Sequence, residues 1–199
     1  MGKTTRTEPC PRCDKRFILR QVSLIFVILW LSLAACAQTN PIRQLIPDDA
    51  RAVVLYFIAS DCPISNRSVP EMLRVQHEFT SRNVAFYFVY PNVTETSGGI
   101  ATHRAAFGLP SGLTDPGGRL GLLAGADTTP EAAILIPHGN TLKSIYAGRV
   151  DDRSLNLGTE RPTATRHDLE DALAALVANR PISAPGGPPV GCYFVKAHP

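Results

Sequence analysis

The sequence predicts an α/β fold, a central mixed β-sheet flanked by helices on both faces. Hydrophobic periodicity reads β-α-β-α and then β-β-α along residues 52–177. Two of the strands, 52–59 and 84–90, are apolar almost without interruption, as strands covered on both faces are. Helical crossovers in the first half imply parallel pairing there, and a tight turn in the second half implies an antiparallel hairpin.

The elements justify themselves in order. Residues 52–59 are β-branched and aromatic and form the first buried strand. A helix starts near Pro63 and runs to about Arg82 on the apolar stripe Met72, Leu73, Val75 and Phe79; Pro70 predicts a kink or a restart within it. Asn83 turns the chain into strand 84–90, which Pro91 stops. A loop, 94–99, precedes a helix over 100–107; a short strand at 113 and a short helix over 119–125 follow. Strand 132–136, the turn Pro137-His138-Gly139-Asn140 and strand 142–147 make the hairpin. Residues 154–166 read as a polar loop, and 168–177 as an amphipathic helix with Leu169, Leu173, Leu176 and Val177 inward. This divides the chain into a domain over 51–180 and a Pro/Gly-rich tail over 181–199 that carries Cys192.

The segment ahead of the domain reads as an address. Lys15, Arg16 and Arg20 precede an apolar run over 22–33, the pattern of a secretory signal and short of the ~20 residues of a membrane span. Leu33-Ala34-Ala35-Cys36 resembles a bacterial lipobox, which implies cleavage before Cys36 and its lipidation. Ala37 after that cysteine favours, by the same resemblance, the outer membrane of a double-membrane bacterium. Signal and lipobox thus span 1–36, with a linker over 37–50; the expected protein is exported, periplasmic and held to the membrane by its N-terminal lipid. Ordinary secretion and an uncleaved anchor are the alternatives. Cys10 and Cys13 are half of a zinc knuckle, with no second pair to complete four ligands.

Of the 199 residues, 44% are hydrophobic and 19% charged, which suits one globular domain and an extra segment. The net charge of +3 comes from the first 35 residues, where six basic side chains meet two acidic ones. The rest is near neutral, so no nucleic-acid partner is expected. No cofactor is expected either.

The chemistry concentrates at Asp61-Cys62-Pro63. Proline suits the first position of a helix, so Cys62 falls at a helix N-terminus, where the dipole and free N–H groups favour a thiolate. The alternative is a small buried hydrophobe. Asp61 beside it opposes thiolate formation. Ser65 and Asn66 suit hydrogen bonds near the helix start.

These residues resemble the thioredoxin-like superfamily, in its redoxin (alkyl-hydroperoxide-reductase/thiol-specific-antioxidant) branch. Cys62 at a strand-to-helix junction, Thr129-Pro130 ahead of a strand, and the strand–hairpin–helix ending carry the resemblance over about 51–179. Asp61-Cys62-Pro63-Ile64-Ser65-Asn66-Arg67, His103, Asp115-Pro116, Thr129-Pro130-Glu131 and Gly191-Cys192 resemble an exported bacterial redoxin group. The resemblance implies a cis Pro130 facing the reactive cysteine. Two departures matter: Ser65 occupies the second place of a CxxC motif, and Ala59 the place of a peroxidatic threonine.

With Cys36 lipidated, Cys62 and Cys192 remain for redox work, and thiols in an oxidising compartment tend to pair. Cys192, on a tail taken to be flexible, is expected to resolve or bridge Cys62; a structural plug is the alternative. His103 is a candidate for hydrogen-bonding the thiolate, against a satisfied or solvated histidine. Arg149, Asp151, Asp152 and Arg153 suit a salt-bridged turn. The expected function is a thiol-disulfide oxidoreductase or redoxin with Cys62 reactive, Cys192, Thr129 and Pro130 completing the site, and Asp61, Pro63, Ser65 and His103 supporting it. Its partner is a thiol or disulfide protein, or a peroxide. The alternatives are a copper-binding module using Cys62, Cys192 and His103, and a partner-binding domain without turnover.

Overall fold

Strand β1 (Ala52–Phe57) is buried at every position and organises the sheet. It pairs in parallel with β2 (Val84–Tyr90), which pairs in parallel with β3 (Gly112–Thr114). On its other side β1 pairs antiparallel with β5 (Glu131–His138), and β5 with β6 (Thr141–Gly148). The order β3-β2-β1-β5-β6 is the mixed sheet the sequence predicts. The computed structural model describes residue 2 and residues 46–139, 141–182 and 186–195. The signal and lipobox of 1–36, with Cys10, Cys13 and Cys36, and most of the 37–50 linker lie outside the described residues. Residues 46–195 belong to a unit spanning Asn40–Pro199.

The two faces of β1 carry two cores. Ala52, Val54, Tyr56 and Ile58 face Val69, Met72, Val75 and Phe79 of α1 (Pro63–Thr80), and Leu169, Ala172 and Leu173 of α4 (Asp168–Val177). Ile100 of α2 (Ser97–Phe107) joins that side. Val53, Leu55 and Phe57 pack with Leu120 and Ala124 of α3 (Arg119–Ala124), and with Phe194 from the tail. Period-two alternation thus sends each half of one apolar run to a different layer.

Helix α1 runs unbroken through Pro70, without the expected restart. Pro70 is on the exposed side while Val69 and Met72 are buried, so packing to either side outweighs one lost hydrogen bond. Asp115 caps α3: its carboxylate accepts the N–H groups of Arg119, Leu120 and Gly121 at 2.9–3.0 Å.

Two expectations are corrected. The 154–166 segment is not all loop, for β7 (Ser154–Asn156) and β8 (Thr159–Glu160) form a small hairpin. Buried Asp152 gathers the returning chain by accepting from Thr165 N, Thr165 Oγ1 and Arg166 N. These donors hold its carboxyl well below the usual range. Nor is the described part of the tail a flexible arm. Residues 186–195 are strapped to the domain, and β9 (Cys192–Tyr193) pairs antiparallel with β4 (Thr128–Thr129). Phe194 is 8% exposed and packs on Phe57 with ring centroids 5.3 Å apart. The Phe194 N–H donates to Asp127 O at 2.8 Å, and Asn92 Oδ1 accepts the Val195 N–H at 2.8 Å. Gly186, in the tail the sequence reads as flexible, and Gly191, ahead of Cys192, mark close approaches. A Cβ on Gly186 would lie 2.3 Å from the Tyr146 hydroxyl, and one on Gly191 2.0 Å from Thr129 O.

Candidate functional site

Cys62 is the N-cap of α1, with extended backbone, and Pro63 follows in the first turn. The Ser65 N–H donates to Cys62 Sγ at 3.5 Å, an N-cap bond made to sulfur. Ser65 is fully buried, and its hydroxyl accepts the Ala59 N–H at 3.3 Å, closing the turn around the cysteine. The Cys62 thiol, 3% exposed by residue, donates to the Thr129 carbonyl at 3.6 Å. The Thr129–Pro130 peptide is cis, as the resemblance implies. Asp61 stands exposed on the turn.

Thr129 also joins the two cysteines. Its register partner across β4–β9 is Cys192, and its hydroxyl donates to Cys192 O at 3.3 Å. Cys62 and Cys192 are both free thiols, Cys62 buried and Cys192 exposed. Cys192 is exposed, yet desolvation pushes its thiol up, and the neighbouring Cys62 and the Asp61 carboxylate push it further in the same direction. Val190, just upstream, packs against Ala59, Cys62 and Ile64 and helps to cover the sulfur.

His103 does not touch the thiol. Its Nε2 lies 2.8 Å from Asn66 Oδ1, and its Nδ1 2.8 Å from the Tyr90 hydroxyl. The Asn66 amide donates to Ser60 O at 3.4 Å, so Oδ1 is the end that faces the ring. Nε2 therefore carries the hydrogen, and Nδ1 accepts from Tyr90; this tautomer follows from the hydrogen-bond pattern. Burial pushes His103 below its ordinary range against the opposing Glu95 charge, and pushes Tyr90 up to about 12. His103 is thus a neutral link that holds Asn66 against the cysteine turn. Glu95 holds the same turn from the other side, accepting the Ser60 N–H at 2.8 Å and the Ser60 hydroxyl at 2.6 Å.

Sequence reasoning missed Asn66, Tyr90 and Glu95 as one network, because they are contributed by α1, β2 and the loop before α2. It quoted Glu131, the residue after the cis proline, within a motif but gave it no role. Glu131 is 5% exposed and accepts the N–H groups of Asp127 and Thr128 at 3.0 and 3.1 Å, which sets the path of β4. Its burial pushes its carboxyl up.

No metal site forms from Cys62, Cys192 and His103, since both His103 nitrogens are committed elsewhere. Among the described residues, the one cluster of three close potential ligands is Glu71, His167 and Glu170. Arg74 sits within it, bonded to both glutamates, and makes it an ion-pair network. The 149–153 charge cluster is likewise structural: Arg149 pairs with Asp168 at 2.5 Å and Asp152 with Arg161 at 3.5 Å.

No family model and no curated protein matches the chain. Solved structures do. An uncharacterized conserved protein from Geobacillus kaustophilus is 25% identical, with a TM-score of 0.63 over 76% of this chain and 79% of that one. A hypothetical protein from Sinorhizobium meliloti 1021 is 20% identical, with a TM-score of 0.63 over 76% and 82%. A secreted Mycobacterium tuberculosis disulfide oxidoreductase is 18% identical, with a TM-score of 0.39 over 65% and 81%. A mixed sheet in the order β3-β2-β1-β5-β6, a cysteine capping the helix after β1 and a cis proline ahead of β5 together give this chain a thioredoxin-like fold.

Proposed function

We propose that this chain is an exported thiol-disulfide oxidoreductase of redoxin type, in which Cys62 attacks and Cys192 resolves. One observation carries the reading: Thr129 accepts the Cys62 thiol through its carbonyl and pairs in register with Cys192. A single residue thereby links the Cys62 thiol to the backbone of Cys192 beside the cis proline, which supports the pairing.

The steps balance as thiol-disulfide exchange. The Cys62 thiolate attacks one sulfur of a partner's disulfide; a mixed disulfide forms, and the other partner sulfur leaves as a thiolate. Cys192, on losing its proton to solvent, attacks the Cys62 sulfur. A Cys62–Cys192 disulfide forms and the second partner sulfur leaves. The partner gains two electrons, the cysteine pair loses two, and an external dithiol restores the pair. Ser65 supplies the N–H directed at sulfur, and Asn66, His103 and Glu95 hold the turn that carries it.

The depth of Cys62 favours a second substrate, a small hydroperoxide. Cys62 would take the outer peroxide oxygen as a sulfenic acid, and the alcohol would leave. Cys192 would then displace water to form the same disulfide. In either case the apolar run over 22–33 and the lipobox at Cys36 support export and attachment to a membrane through an N-terminal lipid.

The test is peptide mapping of the alkylated, exported protein with and without reductant, together with turnover of a Cys62→Ala variant. A reversible Cys62–Cys192 disulfide and loss of turnover in the variant are expected. Full redox activity in Cys62→Ala would overturn the proposal.

A further inference from the structure

Strand β4 lies outside the central sheet, and its pairing partner is the chain's own tail. A strand edge is a template for any extended chain. The tail meets that template as a peptide would, in antiparallel register, with a cysteine opposite Thr129, the residue whose carbonyl accepts the Cys62 thiol. Its fit is specific. Gly191, the residue ahead of the cysteine, faces the Thr129 carbonyl, where a Cβ would sit 2.0 Å from the oxygen. The side chain after Cys192 is 76% exposed and contributes little to the fit, whereas Phe194 is 8% exposed and anchors the strap.

We propose that residues 190–195 are a displaceable stand-in for a protein partner, and that the partner pairs with β4 as an extended segment whose cysteine follows a glycine. While the strap is docked, Cys62 is 3% exposed and β9 occupies the edge of β4 that a partner would use, so protein disulfides are shut out and only small reagents enter. When the strap lifts, the edge and the sulfur open together. This inference rests on Cys62 being the attacking thiol. The exchange is the one written above: the Cys62–partner bond forms as the partner's sulfur–sulfur bond breaks, and the leaving thiolate carries off the electron pair.

The test uses the full chain and its Phe194→Ala variant. The probe is a Val-Gly-Cys-Tyr peptide whose cysteine is a mixed disulfide with thionitrobenzoate; a Val-Ala-Cys-Tyr peptide is the comparison. Mapping confirms that Cys62 is the cysteine modified. Because loosening the strap raises the open fraction, Phe194→Ala should release thionitrobenzoate from the glycine peptide about tenfold faster than the unaltered chain. The alanine peptide should react about tenfold more slowly than the glycine peptide, since its methyl group meets the Thr129 carbonyl. Equal rates in either comparison overturn the inference. A small aromatic disulfide, which needs no strand edge, keeps the two ideas apart. If Cys62 ignores that reagent as well, the oxidoreductase reading fails. If Cys62 takes it at the same rate in both proteins while the peptide comparisons come out equal, that reading stands and only the strap inference is lost. A measurement without a variant guards against misfolding of Phe194→Ala. Excess Val-Gly-Ser-Tyr-Phe-Val peptide, which cannot exchange, should displace the strap of the unaltered chain and speed Cys192 alkylation; no change in that rate would count against displacement.

Discussion

Thr129 and Cys192 face each other across the antiparallel β4–β9 pair, joined by a hydrogen bond from the Thr129 hydroxyl to the Cys192 carbonyl at 3.3 Å. The same threonine offers its own carbonyl to the Cys62 thiol. The second cysteine is therefore positioned by backbone pairing, and the behaviour of the two thiols depends on that strand.

Cys192 should titrate late. Its thiol is pushed above the ordinary value by desolvation, by Cys62 and by Asp61. Its alkylation by iodoacetamide should lag behind that of a free exposed thiol at pH 7 and climb through the alkaline range. In Cys62→Ser the midpoint should move down, because one cause of the shift is gone. An unchanged midpoint in that variant would show that the two sulfurs do not interact.

Replacing Cys192 by serine should trap the reaction halfway. A hydroxyl cannot displace the partner from Cys62, so the mixed disulfide should accumulate and turnover should fall by about two orders of magnitude. Intact mass after a single addition of disulfide substrate checks it. Full turnover without the adduct would remove Cys192 from the mechanism.

Gly191→Ala should detach the strap. The new Cβ meets a backbone carbonyl, which cannot rotate away. Forced overpacking of this kind costs about 1–3 kcal/mol, to be read from denaturant midpoints. Cys192 alkylation should accelerate as the thiol leaves Cys62. Native stability with an unaltered alkylation rate would mean that the close approach is not maintained in solution.

His103 should make the protein acid-sensitive. Its folded form resists protonation because it is buried, so below about pH 6.5 the unfolded chain binds a proton that the folded chain does not. The sign follows directly: stability is fully present above that pH and declines as the pH falls through the window. The slope from one such group is at most about 1.4 kcal/mol per pH unit. A His103→Gln variant should be less stable at neutral pH, since the Tyr90 and Asn66 bonds are disturbed, and should have a flatter profile between about pH 7 and 5. Parallel profiles for the two proteins would show that His103 carries none of the dependence.

Much of the fold was legible because it rests on local pattern. The alternation within residues 52–57 sends Val54 and Tyr56 to one core and Val53 and Leu55 to the other, and any sheet that buries both faces must read this way. Pro63 behind Cys62 marks the helix start in the sequence itself, and Cys62 is indeed the N-cap. The β7–β8 hairpin was illegible because strands of two and three residues carry no period.

What the sequence determined by itself was thus the strand and helix order and the position of Cys62, set by neighbours within a few residues; the cis proline came from the resemblance. Only the tertiary structure decided what the tail is. Composition alone makes 181–195 look like a flexible tail, since Gly and Pro are common to flexible segments and to tight ones. The difference lies in contacts more than sixty residues away, where Gly191 passes the Thr129 carbonyl and Phe194 completes a core begun by Phe57. The same holds for His103, whose role depends on Asn66 and Tyr90 from two other elements. Long-range packing has no local period, so a site built by it becomes visible only once the chain is folded.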